Sequence, residues 1–177
     1  PQDIRWGRTF EGYSDNTELV SQMGAAYVRG LQGDSPTLTV LASVKHFVGD
    51  GGTTWGSMEG YEWIPKMWVA PDDRWSIDQG ATEVDEATLR AVHLPPYQAA
   101  IEAGAKNIMI SYSSWDGLKI HAHKYLMTDV LKGELGFEGL AVSDWEDIIR
   151  LHIRHEVAAS PKEAVKIAVN AGIDMSM

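Results

Sequence analysis

Gly139-Leu140-Ala141-Val142-Ser143-Asp144-Trp145-Glu146-Asp147 joins a short apolar run to an abrupt polar end. Leu140 to Val142 follow a turn-prone glycine and stop at Ser143, the pattern of a buried parallel strand reaching the edge of its sheet. Asp144 therefore falls at a strand's C-terminal end, the rim where α/β folds bind ligands and project catalytic side chains. A carboxylate there could equally cap the next helix. Trp145 favours the ligand reading, because an indole beside a strand-end carboxylate is costly to leave in water and the apolar face of a sugar ring suits it.

Outward from this stretch the same pattern recurs. Thr39 to Val44 is apolar and β-branched, and passes through Lys45-His46-Phe47 into the loop Gly49-Asp50-Gly51-Gly52. Asn107 to Tyr112 is a third strand, polar at its end in Ser111-Tyr112-Ser113-Ser114-Trp115, and Ile173-Asp174-Met175-Ser176-Met177 begins a fourth. Helices are expected between them. One runs from about Asp15 to Gly30, with Asp15 and Glu18 resembling a capping box and Leu19, Met23, Tyr27 and Leu31 at helical spacing. Others are expected at Asp85 to Arg90, Pro95 to Ala103 and His123 to Glu134. Ser160-Pro161-Lys162-Glu163 combines an N-cap Ser, a Pro at the first helical position and a Glu three residues after the cap, opening a helix that ends at Gly172. Strands alternating with helices, each strand polar at its C-terminal end, predict right-handed βαβ units and a parallel sheet. Four strands cannot close an eight-stranded barrel, so either the sheet is open or the chain is part of a barrel.

Composition narrows the function classes. With 177 residues, 44% hydrophobic and 23% charged, the chain reads as an ordinary globular protein with a sizeable core. The net charge of −10, without a Lys/Arg cluster, argues against nucleic acid or anionic membranes as partners. The absence of cysteine removes disulfides and thiolate metal sites. No apolar run is long enough to span a bilayer. Thr53 to about Gly80 holds four Trp with Pro65 and Pro71 and no clean period, which reads as a long surface loop or binding insertion.

Arg5-Trp6-Gly7-Arg8, Glu11-Gly12-Tyr13-Ser14, Lys45-His46-Phe47-Val48-Gly49-Asp50-Gly51-Gly52, Ser111 to Trp115 and Ser143-Asp144-Trp145-Glu146 together resemble the N-terminal catalytic barrel of glycoside hydrolase family 3, in its β-glucosidase and exo-glucanase branch. The likeness implies that residues 1–177 are the central part of a (β/α)₈ barrel domain, with a Trp-rich insertion at about 54–77. It further implies a retaining hydrolase that releases β-linked glucose from the non-reducing end of a β-glucoside or β-glucan. Asp144 falls on the nucleophile, Trp145 on an aromatic wall, Arg8, Lys45 and His46 on groups that bind the terminal sugar's hydroxyls, and Tyr112 beside the nucleophile. The chemistry suits these residue types: retention needs an attacking carboxylate whose charged form cationic neighbours such as Lys45 and Arg8 favour, and Arg and Lys donors can grip vicinal hydroxyls.

Taken singly, each has a plainer explanation. Arg8 could simply pair with Glu11, His46 could be a satisfied strand-end histidine, and Tyr112 could be core. The resemblance implies no cofactor and no metal, and it puts the acid/base glutamate in a C-terminal α/β domain beyond this chain. The N-acetylglucosaminidase branch instead carries an acid/base His in the loop after Lys45-His46, and Gly49 to Thr54 holds none. A non-catalytic carbohydrate-binding barrel fragment is the alternative from another class. A metalloenzyme built on His121 and His123, or His152 and His155, lacks an evident third ligand. A glucan-trimming enzyme suits the periplasm or the cell exterior.

Overall fold

Three parallel strands, β1 (Ser43–Phe47), β3 (Asn107–Ile110) and β6 (Leu140–Val142), lie in the order β1-β3-β6 at the centre of the computed structural model, which describes residues 1–33, 40–58 and 77–177. Ser43 and Val44 pair with Asn107 and Ile108, and Asn107 to Met109 pair with Leu140 to Val142. Beyond β6 the chain returns at Met175, which bridges to Val142 in parallel. The fourth strand expected at Ile173 to Met177 is thus a single parallel bridge, fixed by Ser143 N–H donating to Met175 O at 2.8 Å.

Sheet β1-β3-β6 is apolar where it is covered. Phe47, Ile108, Ile110 and Ala141 are fully buried against Leu126, Met127 and Leu131, and against Leu151, Ala164 and Ala168. Those partners come from three helical segments: Tyr125–Glu134, wound with the wide i→i+5 pattern, α4 (Asp147–Ile153) and α5 (Pro161–Ala171). In a second cluster α1 (Thr17–Gln32) packs on α3 (Pro95–Glu102) through Val28 and Ala100, with Ala42 and Ala105 beside them. Gly139 is required at the entry to β6: a Cβ there would lie 2.4 Å from the Lys106 carbonyl oxygen, which accepts the N–H of Leu140 at 2.8 Å. A second small sheet joins β2 (Ala81–Thr82) in parallel to β4 (Ser114–Trp115), which turns back on β5 (Leu118–Lys119). Its turn is Asp116-Gly117, with both residues at positive φ.

Several boundaries move from those expected. The first strand starts at Ser43 and carries Lys45 and His46 within it. Helix α1 is capped by Asn16, whose side chain accepts the N–H of Leu19, and Asp15 stays outside. Its packed face is Ala25 and Val28, whereas Leu19, Met23 and Tyr27 are exposed by 43%, 42% and 58%. The expected helix at Asp85 begins as α2 (Glu86–Thr88) and widens into i→i+5 turns over Leu89–His93. Most of the Trp-rich stretch, 59–76, and Thr39 lie outside the described residues. No helix among the described residues is long and apolar enough to cross a membrane.

Candidate active site

At the C-terminal end of β6 every backbone N–H from Ser143 to Asp147 has a partner, which is how a short irregular segment can hold one shape. Ser143 donates to Met175 O, Glu146 to Met177 O at 2.9 Å, and Asp147 to Asp144 O at 3.2 Å. Trp145 donates to Asp144 Oδ1 at 2.7 Å, and Asp144 itself donates to Nε2 of the buried His121 at 3.0 Å. Ser143 Oγ accepts the N–H of Met177 at 2.9 Å, and Tyr112 Oη donates to Trp145 O at 2.6 Å. Glu146 takes φ 56°, and this left-handed residue turns the chain into α4.

With Oδ1 engaged by the backbone, Asp144 presents Oδ2, which lies 3.6 Å from Nε2 of His46. Both residues are buried, at 8% and 7% exposure. His46 is oriented from its other side by Asp50, whose Oδ2 lies 2.7 Å from Nδ1. Gly49, at φ 93° directly after the strand, lets the loop fold Asp50 back to that position. Tyr112 stands on the opposite flank under the Arg150 guanidinium, 5.0 Å from the ring centroid. Burial, and then the nearby Asp144 carboxylate, push its phenol well above the ordinary tyrosine range.

Arg8 and Lys45 stand further out. The N-terminal segment is pinned where Trp6 Nε1 donates to the buried Asp78 Oδ1 at 2.9 Å, and Arg8 then forks onto Glu11 at 2.8 and 2.7 Å. The hydrogen bonds it donates to Glu11 raise the Arg8 guanidinium further, while the same bonds, with Lys45 and His46 nearby, hold Glu11 below its usual value. Arg8, Glu11, the exposed Lys45, His46 and Asp50 line one cavity of about 350 Å³ that runs on between α1 and α3. Asp144 is not among its lining residues, and His46 is the link between the two.

The structure thus brings His46, Tyr112, Asp144 and Trp145 into direct company, with Arg8 and Lys45 on the far side of His46. The group against Asp144 Oδ2 is His46 rather than the Lys45 or Arg8 expected beside it. The Arg8–Glu11 pair exists as the plainer reading held, while Tyr112 is half-buried with its hydroxyl engaged outside the core. Trp145 is 59% exposed, an open indole face at the strand end.

The sequence reading gave Asp50 and Asp147 no role of their own and weighed His121 and His155 only as metal ligands. His121 lies in the turn Ile120–Ala122 after β5, fully buried, with Nδ1 2.7 Å from Oδ2 of the equally buried Asp147. That approach lies off the hydrogen-bond line, so we weigh it as electrostatic pairing. Asp147 Oδ1 has His155 Nε2 at 3.4 Å. Burial opposes ionisation of Asp147, but His121 and His155 outweigh it and hold the carboxyl far below the usual carboxylate range. The histidines weighed as metal ligands have other partners: His123 Nδ1 faces Leu126 N–H and His152 Nδ1 faces Ala158 O. No group of three His, Cys, Asp or Glu suited to a metal occurs among the described residues.

Known proteins resemble this chain in sequence and in fold. A β-xylosidase of Formosa agariphila is 36% identical over 180 residues, covering 99% of this chain and 22% of its own length. The periplasmic β-glucosidase of Salmonella typhimurium is 35% identical, covering 99% of this chain and 20% of its own. Among solved structures, a β-glucosidase from Erythrobacter marinus superposes with a TM-score of 0.84 at 34% identity, over 99% of this chain and 21% of that one. The chain therefore spans about a fifth of the relatives it matches. The model of the glycosyl hydrolase family 3 N-terminal domain matches residues 1–67 and 75–177, leaving out seven residues of the Trp-rich stretch. On that match the chain belongs to glycosyl hydrolase family 3 as part of its N-terminal domain.

Proposed function

We propose that the protein containing this chain is a retaining, exo-acting glycoside hydrolase that releases β-linked glucose from non-reducing ends, with Asp144 as nucleophile. The observation that carries the reading is the immobilised strand-end carboxylate: Asp144 Oδ1 is engaged by its own turn while Oδ2 is turned toward His46. In the first step an Asp144 oxygen attacks the anomeric carbon as the bond to the leaving oxygen breaks. The leaving group departs with the electron pair and takes a proton from a general acid, and water then hydrolyses the glycosyl-enzyme. Arg8, Lys45 and His46 bind the sugar's hydroxyls, Tyr112 steadies the nucleophile's turn, and Trp145 stacks on the leaving-group side.

A C-terminal α/β domain supplies the acid/base. The relatives, roughly five times the length of the match, support a partner domain of this kind. Residues 1–177 are then the central part of a barrel domain with the Trp-rich stretch as an insertion. Glucose as the released sugar is supported by β-glucosidase relatives and by the Listeria innocua β-glucosidase solved with glucose, 32% identical with a TM-score of 0.83. Named β-xylosidases among the relatives favour a β-xyloside as the second reading.

The test is made in the full-length protein. Asp144→Asn is expected to reduce turnover of an aryl β-glucoside by orders of magnitude without changing the melting temperature, and azide should restore turnover with inverted anomeric product. Wild-type-like turnover in that variant excludes Asp144 as nucleophile. A higher kcat/KM on the xyloside than on the glucoside would transfer the reading to pentosides.

A further inference from the structure

We infer that His121 is a positioning residue for the nucleophile, accepting the Asp144 backbone N–H on Nε2 while Asp147 fixes its ring from beneath. The inference rests on the proposed role of Asp144. A backbone N–H can only donate, so the 3.0 Å contact assigns the lone pair of His121 to Nε2 and its proton to Nδ1. Nδ1 lies 2.7 Å from Asp147 Oδ2, off the hydrogen-bond line, so the pairing is electrostatic, and Asp147 is in turn held by His155 and by the start of α4. His121 and Asp147 are both fully buried, so neither can reach substrate, and their shared position directly under residue 144 is what makes them candidates to act through it.

The physical need is specific. The carboxylate hangs on the residue where the extended backbone of β6 breaks, two positions before the left-handed Glu146. The N–H of Asp144 points into protein, where an unmatched donor would be costly. Without a fixed acceptor the peptide at residue 144 could rotate, and both the Oδ1 contact with Trp145 and the direction of Oδ2 would follow it. Displacing a reacting atom by about 1 Å can slow a reaction on the order of 10²-fold.

Two substitutions in the full-length enzyme separate the two edges of the imidazole. His121→Gln can place Oε1 where Nε2 stood and so keep an acceptor for Asp144. His121→Asn is too short for that, yet keeps an amide beside Asp147. The probe is 2,4-dinitrophenyl 2-deoxy-2-fluoro-β-glucoside. Attack by Asp144 forms the bond to the anomeric carbon as the glycosidic C1–O bond breaks, dinitrophenolate leaves with the electron pair, and no general acid is required. Labelling rate is read by mass spectrometry of the 144-containing peptide, and ground-state binding by the inhibition constant of a competitive glucose-like iminosugar.

His121→Asn is expected to slow labelling about 10²-fold with the inhibition constant changed only a few-fold, and His121→Gln to recover most of that rate. Labelling of folded His121→Asn at the wild-type rate overturns the inference. So does an equal loss of labelling and inhibitor binding in both variants, the mark of a merely structural residue. Should His121→Asn fail to fold, a folded, inhibitor-binding His121→Gln that labels as slowly as 10⁻² of wild type overturns it alone. A wild-type enzyme that labels elsewhere than Asp144 sinks the functional reading itself, and that outcome is distinct from the other three.

Discussion

Asp147 is where residue-level electrostatics make a prediction separate from catalysis. Its carboxyl is fully buried, and burial opposes its charge, yet His121 and His155 hold it ionised far below the usual range. In the unfolded chain it takes up a proton near the ordinary value of about 4. A depressed folded value means that the unfolded state binds the proton first, so the stability it contributes is fully present above about pH 4 and is lost as pH falls toward the folded value. Asp147→Asn should therefore be destabilising at pH 6, and progressively less so as pH falls below about 4. Denaturant unfolding of the full-length protein and the variant at the two pH values checks this, and a pH-independent deficit would contradict it. The outer residues of the candidate site were named in the sequence because Lys45-His46, Tyr112 and Asp144-Trp145 follow apolar runs and also lie in the motifs that carry the family resemblance. His121, Asp147 and His155 were not read as part of that site. They are distant in sequence, carry no periodicity, and meet only because the turn after β5 and the start of α4 are folded under the same strand end.

Elements were legible where a local signal survives packing. Ser160-Pro161-Lys162-Glu163 does start α5: Ser160 accepts the Glu163 N–H at 3.2 Å, and Glu163 reaches back to the N–H of Ala159 at 2.9 Å. Ser160→Ala should accordingly cost about 1 kcal/mol, with Ser160→Asp neutral by comparison, both measured by thermal unfolding. An alanine variant as stable as wild type would show that the cap is redundant. At α1 the cap moved by one residue: Asn16 Oδ1 accepts the Leu19 N–H, while the Asp15 carboxylate accepts from Ser14 Oγ instead. The hairpin β4–β5 and strand β2 were missed for a different reason. Strands of two residues have no alternation to detect. Helix α4 escaped because it begins at a left-handed Glu146 without a side-chain cap, so the usual start signal is absent.

For the whole molecule, the parallel sheet followed from alternation of strand and helix, but the apolar residues at helical spacing on α1 are not the face that it packs. Leu19, Met23 and Tyr27 recur every fourth residue and should mark a buried face, yet they are exposed, while Ala25 and Val28 make the contact with α3. Val40 and Leu41, just before β1, are exposed by 59% and 58% on a strand that among the described residues pairs only with β3. An apolar stripe beside a strand edge with open backbone groups invites association. The 177-residue chain by itself is expected to be oligomeric or insoluble, and charged substitutions at Leu19, Met23 and Tyr27 should shift it toward monomer. If the acid/base lies in a separate domain, the isolated chain should also fail on cellobiose, since general acid catalysis contributes roughly 10²–10⁴-fold where the leaving group is poor. An activated aryl glucoside, which needs less protonation, is the fairer substrate and should show the smaller deficit relative to the full-length protein. Light scattering and turnover measured on the same preparation decide both points together. A monodisperse monomer that hydrolyses cellobiose at ordinary enzymatic rates would mean that the exposed stripe needs no cover and that an acid/base residue lies within these 177 residues.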